Sequence, residues 1–418
     1  MVQRKGYLAR LEAWREKQVI KVVTGVRRCG KSTLLSQYID SLRASGVDSE
    51  QIVSINLEEP EFGFLLNHEA LYAYIQKCLL KKKYTYVFID EVQQCIGFEK
   101  AIDGLFIKKN VGLYITGSNA YMLSGELATL LSGRYVELNM LPLSFAEYIA
   151  FNGTNGKKII PDYRAALNNY LRFGSFPYAA ALNADAGMVK TYIDGIYNTI
   201  LIKDVAKRIG ATDISLLENI IKFLSHSVGS PISVKKISDT INSSGRKISV
   251  NTVDSYLRSL SDSFIFYHVD RYDIKGRQYL KTLGKYYIVD TGIRNMLLES
   301  SSPDFGHQLE NIVYLELLRR GFRVSVGKLD EKEVDFIAAG AQAADDDSGG
   351  TAYYQVAASV MDQNTLEREL TILSKIRDNY PKYLLTLDDI PSTANHDGII
   401  QRYLIDWLLE KRKSEGNH

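Results

Sequence analysis

The sequence predicts an α/β protein built on a parallel sheet, extended by a mostly helical stretch and a second, smaller α/β unit. Two observations carry that expectation. Five short apolar runs, Val19 to Thr24, Ile52 to Asn56, Tyr86 to Asp90, Leu113 to Thr116 and Tyr135 to Leu138, alternate with helical stretches. Buried strands separated in this way form a parallel sheet covered on both faces. From Pro161 to Gly229 the strands cease and helical periodicity takes over, as in YRAALNNYLRFG and ISLLENIIKFLSHSVG.

The chain opens on MVQRKGYLARLEAWREK, which reads as a charged amphipathic helix without the apolar stretch of a signal peptide. The first strand then runs into VIKVVTGVRRCGKST, Val19 to Thr33, which fits G-x-x-x-x-G-K-[ST] between a strand and a helix. Gly25 and Gly30 permit backbone conformations closed to other residues. The N–H groups of Gly25, Val26, Arg27, Arg28, Cys29 and Gly30 can therefore turn around phosphate oxygens at a helix N-terminus. Lys31 is placed to reach the β- and γ-phosphates, Ser32 to ligate Mg²⁺, and Thr33 to cap or pack the first turn. A chance glycine-rich turn would need the glycines but has no use for a lysine and a hydroxyl there.

The third strand ends in an acidic pair, YTYVFIDEVQQ. Ligands bind at the C-terminal edge of a parallel sheet, so Asp90 is placed to hold Mg²⁺ through its water shell and Glu91 to orient and deprotonate the attacking water. Favourable acids at a helix N-terminus are the structural alternative. The fourth strand, in GLYITGSNAYML, ends in Thr116, Ser118 and Asn119. Ser118 and Asn119 are candidates for sensing the γ-phosphate or positioning water, and either could equally cap the next helix. Arg134 precedes the fifth strand, where it could stabilise transition-state charge on a neighbouring subunit's nucleotide or form a surface salt bridge.

With 418 residues, length suggests roughly three domains. Hydrophobic content of 45% and charged content of 24% are those of a globular protein, and a net charge of +2 gives no global nucleic-acid signal. Cys29, Cys78 and Cys95 have no ligand-like spacing, which argues against a disulfide framework or zinc site and fits a reducing cytoplasm. No apolar run approaches membrane-spanning length.

The segments TGVRRCGKST, INLEEPEF, VFIDEVQQ, YITGSNAYML, SGRYVELNMLPLSFAEY and YLRFGSFPYAA together resemble a prokaryotic family of AAA-type P-loop ATPases with a C-terminal region of unknown function. The paired Arg27 and Arg28 in the phosphate loop are rather specific to it. The resemblance spans essentially the whole chain. It implies a five-stranded core with an inserted sensor strand (residues 1–150), a helical lid (151–228), a winged helix (229–300) and a restriction-endonuclease-like domain (301–418). ATP as the nucleotide rests mainly on this resemblance, since no guanine-reading N-K-x-D run is visible.

Between Gly229 and Asp290, helical patterns over Ile232 to Ile241 and Ser249 to Ser261 precede the strand-like runs SFIFYHVD and KYYIVD, the plan of a winged helix. This window holds ten Lys or Arg against six Asp and no Glu, a net charge of +4. Lys235, Arg246, Lys247 and Arg258 could contact phosphates around a recognition helix, with Arg271 to Lys281 as a basic wing. The alternative is a protein-docking module whose charges are solvated.

The last segment, from about Phe305, reads helix, strand, hairpin, strand, helix, strand, helix, with Asp345 to Gly350 as a solvated loop. Its order resembles the restriction-endonuclease-like core, in which a helix Glu, a strand Asp and a Glu-x-Lys gather Mg²⁺ and a base. Glu310 and Asp335 fill the first two places, but the third reads Gln355-Val356-Ala357. Gln355 supplies a neutral oxygen and Ala357 nothing, so unless Lys328 or another residue migrates in, the domain keeps its fold and loses hydrolysis. The expectation is a Mg²⁺-dependent ATPase acting through C-terminal recognition domains on nucleic acid or a protein client. A nucleotide-gated scaffold with negligible turnover is the alternative, and a DNA nuclease is disfavoured by Ala357.

Overall fold

The computed structural model describes residues 2–120, 131, 133–153, 162–182, 184–206, 209–210, 213–299, 305–340, 350–389 and 394–410. Two compact units make up the chain, Met1–Pro142 with Asp262–Phe264, and Leu143–Ser261 with Ile265–His418.

The first unit contains α1 (Lys5–Ala13), β1 (Ile20–Thr24), α2 (Lys31–Ala44), β2 (Ile52–Asn56), α3 (His68–Cys78), β3 (Thr85–Asp90), α4 (Phe98–Phe106), β4 (Val111–Gly117) and β5 (Tyr135–Asn139). All five expected runs are strands, with ends shifted by no more than two residues. Among the described residues they form one parallel sheet in the order β2-β3-β4-β1-β5. Burial follows that order: every residue of β1, β3 and β4 is buried, whereas the edge strands β2 and β5 are half-exposed. One face packs Val22, Ile89 and Ile115 against Leu71, Ile75, Ile102 and Leu105 of α3 and α4. Elsewhere in the core Tyr38 of α2 lies against Phe88 and Tyr114, whose rings stack at 4.7 Å. Each such side chain contributes about 1.5–3 kcal/mol by leaving water.

The second unit contains α5 (Phe145–Gly153), α6 (Tyr163–Phe173), α7 (Pro177–Ala181), α8 (Ala186–Thr199), a π-helical segment Ile200–Ala206, α9 (Ile214–His226), α10 (Val234–Ser243) and α11 (Val250–Asp262). Then follow β6 (Phe266–Asp273), β7 (Gln278–Ile288), α12 (Thr291–Leu298), α13 (Phe305–Arg319), β8 (Arg323–Leu329), β9 (Lys332–Ala339), β10 (Thr351–Ala357), α14 (Gln363–Ser374), β11 (Lys382–Thr386), β12 (Ala394–His396), β13 (Ile399–Tyr403) and α15 (Leu404–Leu409). Asp185, Asp213, Ser233 and Asp362 each accept a backbone N–H in the first turn of the helix they precede, which fixes where α8, α9, α10 and α14 begin.

Asp290 does the same for α12 while fully buried, and it also accepts from the backbone and hydroxyl of Ser175. Gly174 makes room for this: with φ of +82°, a Cβ there would lie 2.1 Å from Asp290 Oδ1. That contact gives the FGSFP run its spelling.

β6 and β7 form the expected antiparallel hairpin. They do not stand apart as a wing, because β6 pairs in parallel with β8 and joins the order β12-β13-β11-β10-β9-β8-β6-β7. The sheet thus runs across the boundary expected at residue 300. β12 and β13 form a further hairpin absent from the sequence reading of the last segment. Residues 345–349 of the expected loop, and the side chain of Lys281 in the expected wing, lie outside the described residues. Among the described residues no helix is long and apolar enough to cross a membrane.

Candidate nucleotide site

β1 delivers the chain to the C-terminal edge of the sheet at Thr24, and Gly25 turns it there with φ of +147°. A Cβ at Gly25 would lie 2.2 Å from the Met140 carbonyl oxygen, so only glycine fits. The loop holds Arg28 in the left-handed region at φ +65° and closes on Gly30, left-handed at the N-terminus of α2. Behind it, Cys29 is fully buried, and burial pushes its thiol up, as expected of a packing residue. The buried Arg4 donates to the carbonyls of Cys29, Leu141 and Pro142 at 3.4, 2.9 and 3.3 Å.

Lys31, the first residue of α2, is buried, and its Nζ donates to the carbonyls of Gly25 (3.0 Å) and Val26 (3.3 Å). The same ammonium lies 3.6 Å from Glu91 Oε1. Ser32 lies close enough to Asp90 to favour its carboxylate, and Thr33 follows in a half-buried position. Thr116 Oγ1 donates to Asp90 and accepts the Glu91 backbone N–H at 2.9 Å. Gln93 Nε2 donates to Glu91 Oε2 and lies 3.4 Å from the Ser118 hydroxyl. Arg27 pairs with Glu58 of the INLEEPEF segment at 3.1 Å.

These contacts separate the two acids electrostatically. Burial raises the Asp90 carboxyl despite the favourable Ser32 and Thr116 hydroxyls. Burial also pushes on Glu91, but Lys31, Gln93, Arg27 and Ser118 outweigh it and leave that carboxyl below its ordinary value. Lys31, Ser32, Asp90, Glu91 and Ser118 lie together at this edge of the sheet, and Asn119 follows Ser118 in a half-buried position. Sequence reasoning missed Gln93 and Arg4 and passed over Thr116. Gln93 lies in the acidic motif YTYVFIDEVQQ, whereas nothing local marks Arg4.

Residues 17–149 match the AAA domain family, and residues 164–304 match a family described as a domain of unknown function. An uncharacterized protein of Haemophilus influenzae is 40% identical over 411 residues, covering 98% of this chain and 99% of that one. The chain belongs to the AAA-domain family. An uncharacterized protein of Methanocaldococcus jannaschii is 31% identical to this AAA protein over 335 residues, 76% of this chain and 71% of the relative. The Walker-type ATPase PABY2304 of Pyrococcus abyssi superposes with a TM-score of 0.51 at 15% identity, over 71% of this chain and 96% of its own, a likeness of fold.

Arg134 of this AAA protein lies apart from the loop. Its carbonyl accepts from Ile20 at the start of β1, the edge of the sheet opposite Gly25 and roughly 16 Å away at strand spacing. Its guanidinium pairs with Asp103 and lies 5.5 Å from the centre of the Phe106 ring. Within one chain, Arg134 cannot join Lys31 and Glu91.

The basic stretch of the second unit is partly neutralised. Arg246 lies 3.6 Å from Asp213, Arg258 2.7 Å from Asp254, and Lys275 2.7 Å from Asp330, while Lys235 and Lys247 are exposed.

Glu310 of α13, Asp335 of β9 and Gln355 of β10 come together with a lysine the sequence reading did not place there. Lys285 of β7, almost fully buried, lies 2.8 Å from Glu310 and 2.7 Å from Glu333. Burial works against its charge, but Glu310, Asp335 and Glu333 raise it above the ordinary lysine value. Tyr287 also donates to Glu310. Asp335 N–H donates to Gln355 Oε1, Asp335 Oδ2 accepts from Val356 N–H, and the Gln355 amide donates to Glu369. Burial, Glu310 and Glu369 push the Asp335 carboxyl well up. Among the described residues no group of three or more His, Cys, Asp or Glu is arranged to hold a metal ion.

Proposed function

We propose that this AAA protein is a Mg²⁺-dependent ATPase whose hydrolysis drives a conformational change read out through its C-terminal half. The observation that carries the reading is the convergence of Lys31, Ser32, Asp90 and Glu91 at the C-terminal edge of one parallel sheet. The loop N–H groups and the α2 N-terminus receive the phosphates. Lys31 exchanges its carbonyl partners for β- and γ-phosphate oxygens, Glu91 accepts a proton from the attacking water, and Ser118 and Asn119 contact the γ-phosphate. Ser32 and Asp90 are hard oxygen donors and fit Mg²⁺, which when bound supplies positive charge against the phosphate oxygens. Arg134 completes the site of a neighbouring subunit, as its place on the opposite edge of the sheet favours.

The C-terminal half acts by recognition. Helices α10 and α11 before the β6–β7 hairpin support a winged-helix reading in which the hairpin is continuous with the larger sheet rather than a free wing, and exposed Lys235 and Lys247 favour contact with a nucleic-acid backbone, a protein client being the alternative. The restriction-endonuclease-like reading of the terminal strands is of a fold kept without its chemistry, supported by the neutral Gln355 bonded to Glu369 in the place of an acid, although Lys285 does come in beside Glu310, where it is also held by Glu333. ATP hydrolysis by wild type and Glu91→Gln, with and without DNA or RNA, tests both parts. The expected result is turnover in wild type alone, stimulated by nucleic acid. Turnover surviving Glu91→Gln would overturn the ATPase mechanism, and indifference to nucleic acid would move the readout to a protein client.

A further inference from the structure

Gln93 follows Glu91 by two residues, a spacing at which side chains on a helix or 3₁₀ turn point apart. They meet here because Glu91 sits in the left-handed region, φ +51°, just before the short 3₁₀ turn Val92–Gln94. A non-glycine residue in that conformation is a local strain that the surrounding structure must hold in place. Two anchors do so: Thr116 Oγ1 takes the Glu91 N–H at 2.9 Å, and the Gln93 amide takes the Glu91 carboxylate.

The two carboxylate oxygens of Glu91 are thereby distinguished. Oε2 accepts from Gln93 Nε2, and Oε1 faces Lys31 Nζ at 3.6 Å. The amide can be oriented only one way, since reversing it would set its carbonyl against a carboxylate. Its carbonyl, Gln93 Oε1, is buried and has no hydrogen-bond partner among the described residues. A buried acceptor left unpaired is costly, and at a site of chemistry such a group calls for an explanation.

We propose that Gln93 positions the attacking water and its base in ATP hydrolysis. This rests on the ATPase reading above. When Lys31 turns to phosphate oxygens, Glu91 Oε1 loses its cation, while the amide keeps Oε2 in place so that the carboxylate cannot follow the lysine. The water then gives one proton to Glu91 Oε1 and directs its other hydrogen to Gln93 Oε1. Its oxygen forms the new bond to the γ-phosphorus as the bond to the β–γ bridging oxygen breaks, and ADP leaves with that electron pair.

The test uses the full-length protein and compares wild type, Gln93→Met, Gln93→Ala and a control, Gln94→Ala, whose side chain is exposed. Turnover at saturating ATP is read beside the dissociation constant for ATP, each with Mg²⁺. Misplacing a reacting group by about 1 Å costs on the order of 100-fold. Both Gln93 variants should therefore lose about 10- to 100-fold in kcat and hold their ATP affinity within about twofold, with the control at the wild-type rate. Equal losses in affinity and rate would assign Gln93 a structural role and overturn the inference, as would either Gln93 variant keeping wild-type kcat. Wild type that binds ATP without turning it over would instead overturn the ATPase reading, and this inference with it.

Discussion

Lys31 and Glu91 face each other across the head of the sheet, Nζ 3.6 Å from Oε1, with both side chains nearly excluded from solvent. The pair links the residue that would bind phosphate to the residue that would activate water, so each controls the charge felt by the other. Glu91→Gln should abolish turnover and tighten ATP binding, because it removes the anion that competes with phosphate for the ammonium. Lys31→Ala should lose ATP binding. Equilibrium binding of ATP with phosphate release on the same samples decides the matter, and weaker ATP binding by Glu91→Gln would contradict the competition.

Lys21 lies fully buried in β1, its ammonium on the Lys17 carbonyl at 2.9 Å and 5.0 Å from the Tyr114 ring centre. Burial, opposed weakly by Glu16, lowers its pKa from 10.5 to about 8. The unfolded chain therefore binds more protons between those values, and stability rises with pH across that window. Lys21→Met should be more stable than wild type at pH 7 by about 1–3 kcal/mol, an advantage that shrinks as pH approaches 10. Urea unfolding of both proteins at the two pH values measures it, and a pH-independent difference would refute it.

Lys285, itself buried, is the counter-ion of a half-buried acidic centre. Lys285→Met should destabilise the second unit by about 3 kcal/mol, since it leaves Glu310 and Glu333 without their cation. Denaturant unfolding followed by the fluorescence of Trp407, which is buried in the same unit, reports it. A loss below about 1 kcal/mol would mean that water already screens the centre.

Arg134 and Asp103 form a partly exposed pair whose own worth is about 0–1 kcal/mol. If Arg134 serves a neighbouring subunit's nucleotide, Arg134→Ala should lower turnover by about 1,000-fold and Asp103→Ala should leave it intact. Turnover per subunit should also rise with protein concentration. Equal, small effects of the two substitutions would reduce Arg134 to its salt bridge.

Much of the first unit was legible because each signal is local. A buried strand needs a β-branched run, a phosphate loop needs its glycines before a lysine and hydroxyl, and an acid at a strand end needs only the strand. Those constraints fixed all five strands and singled out Lys31, Ser32, Asp90 and Glu91. The hairpin β6–β7 was legible too, but not its neighbour, because strand pairing at a distance leaves little trace in either strand's own pattern.

The sequence by itself determined most of the strands and helices of the first unit and which residues make up its candidate phosphate site, since backbone sterics and side-chain type decide both. Only the tertiary structure decided that β4 lies between β1 and β3, bringing Thr116 to Asp90, and that Arg134 stands at the far edge of the sheet from Gly25. It also decided that Lys285 neutralises Glu310 from another element and that Gln93 folds back onto Glu91. Such pairings depend on distances between groups that chain order does not encode, and electrostatic and hydrogen-bond energies fall steeply with distance.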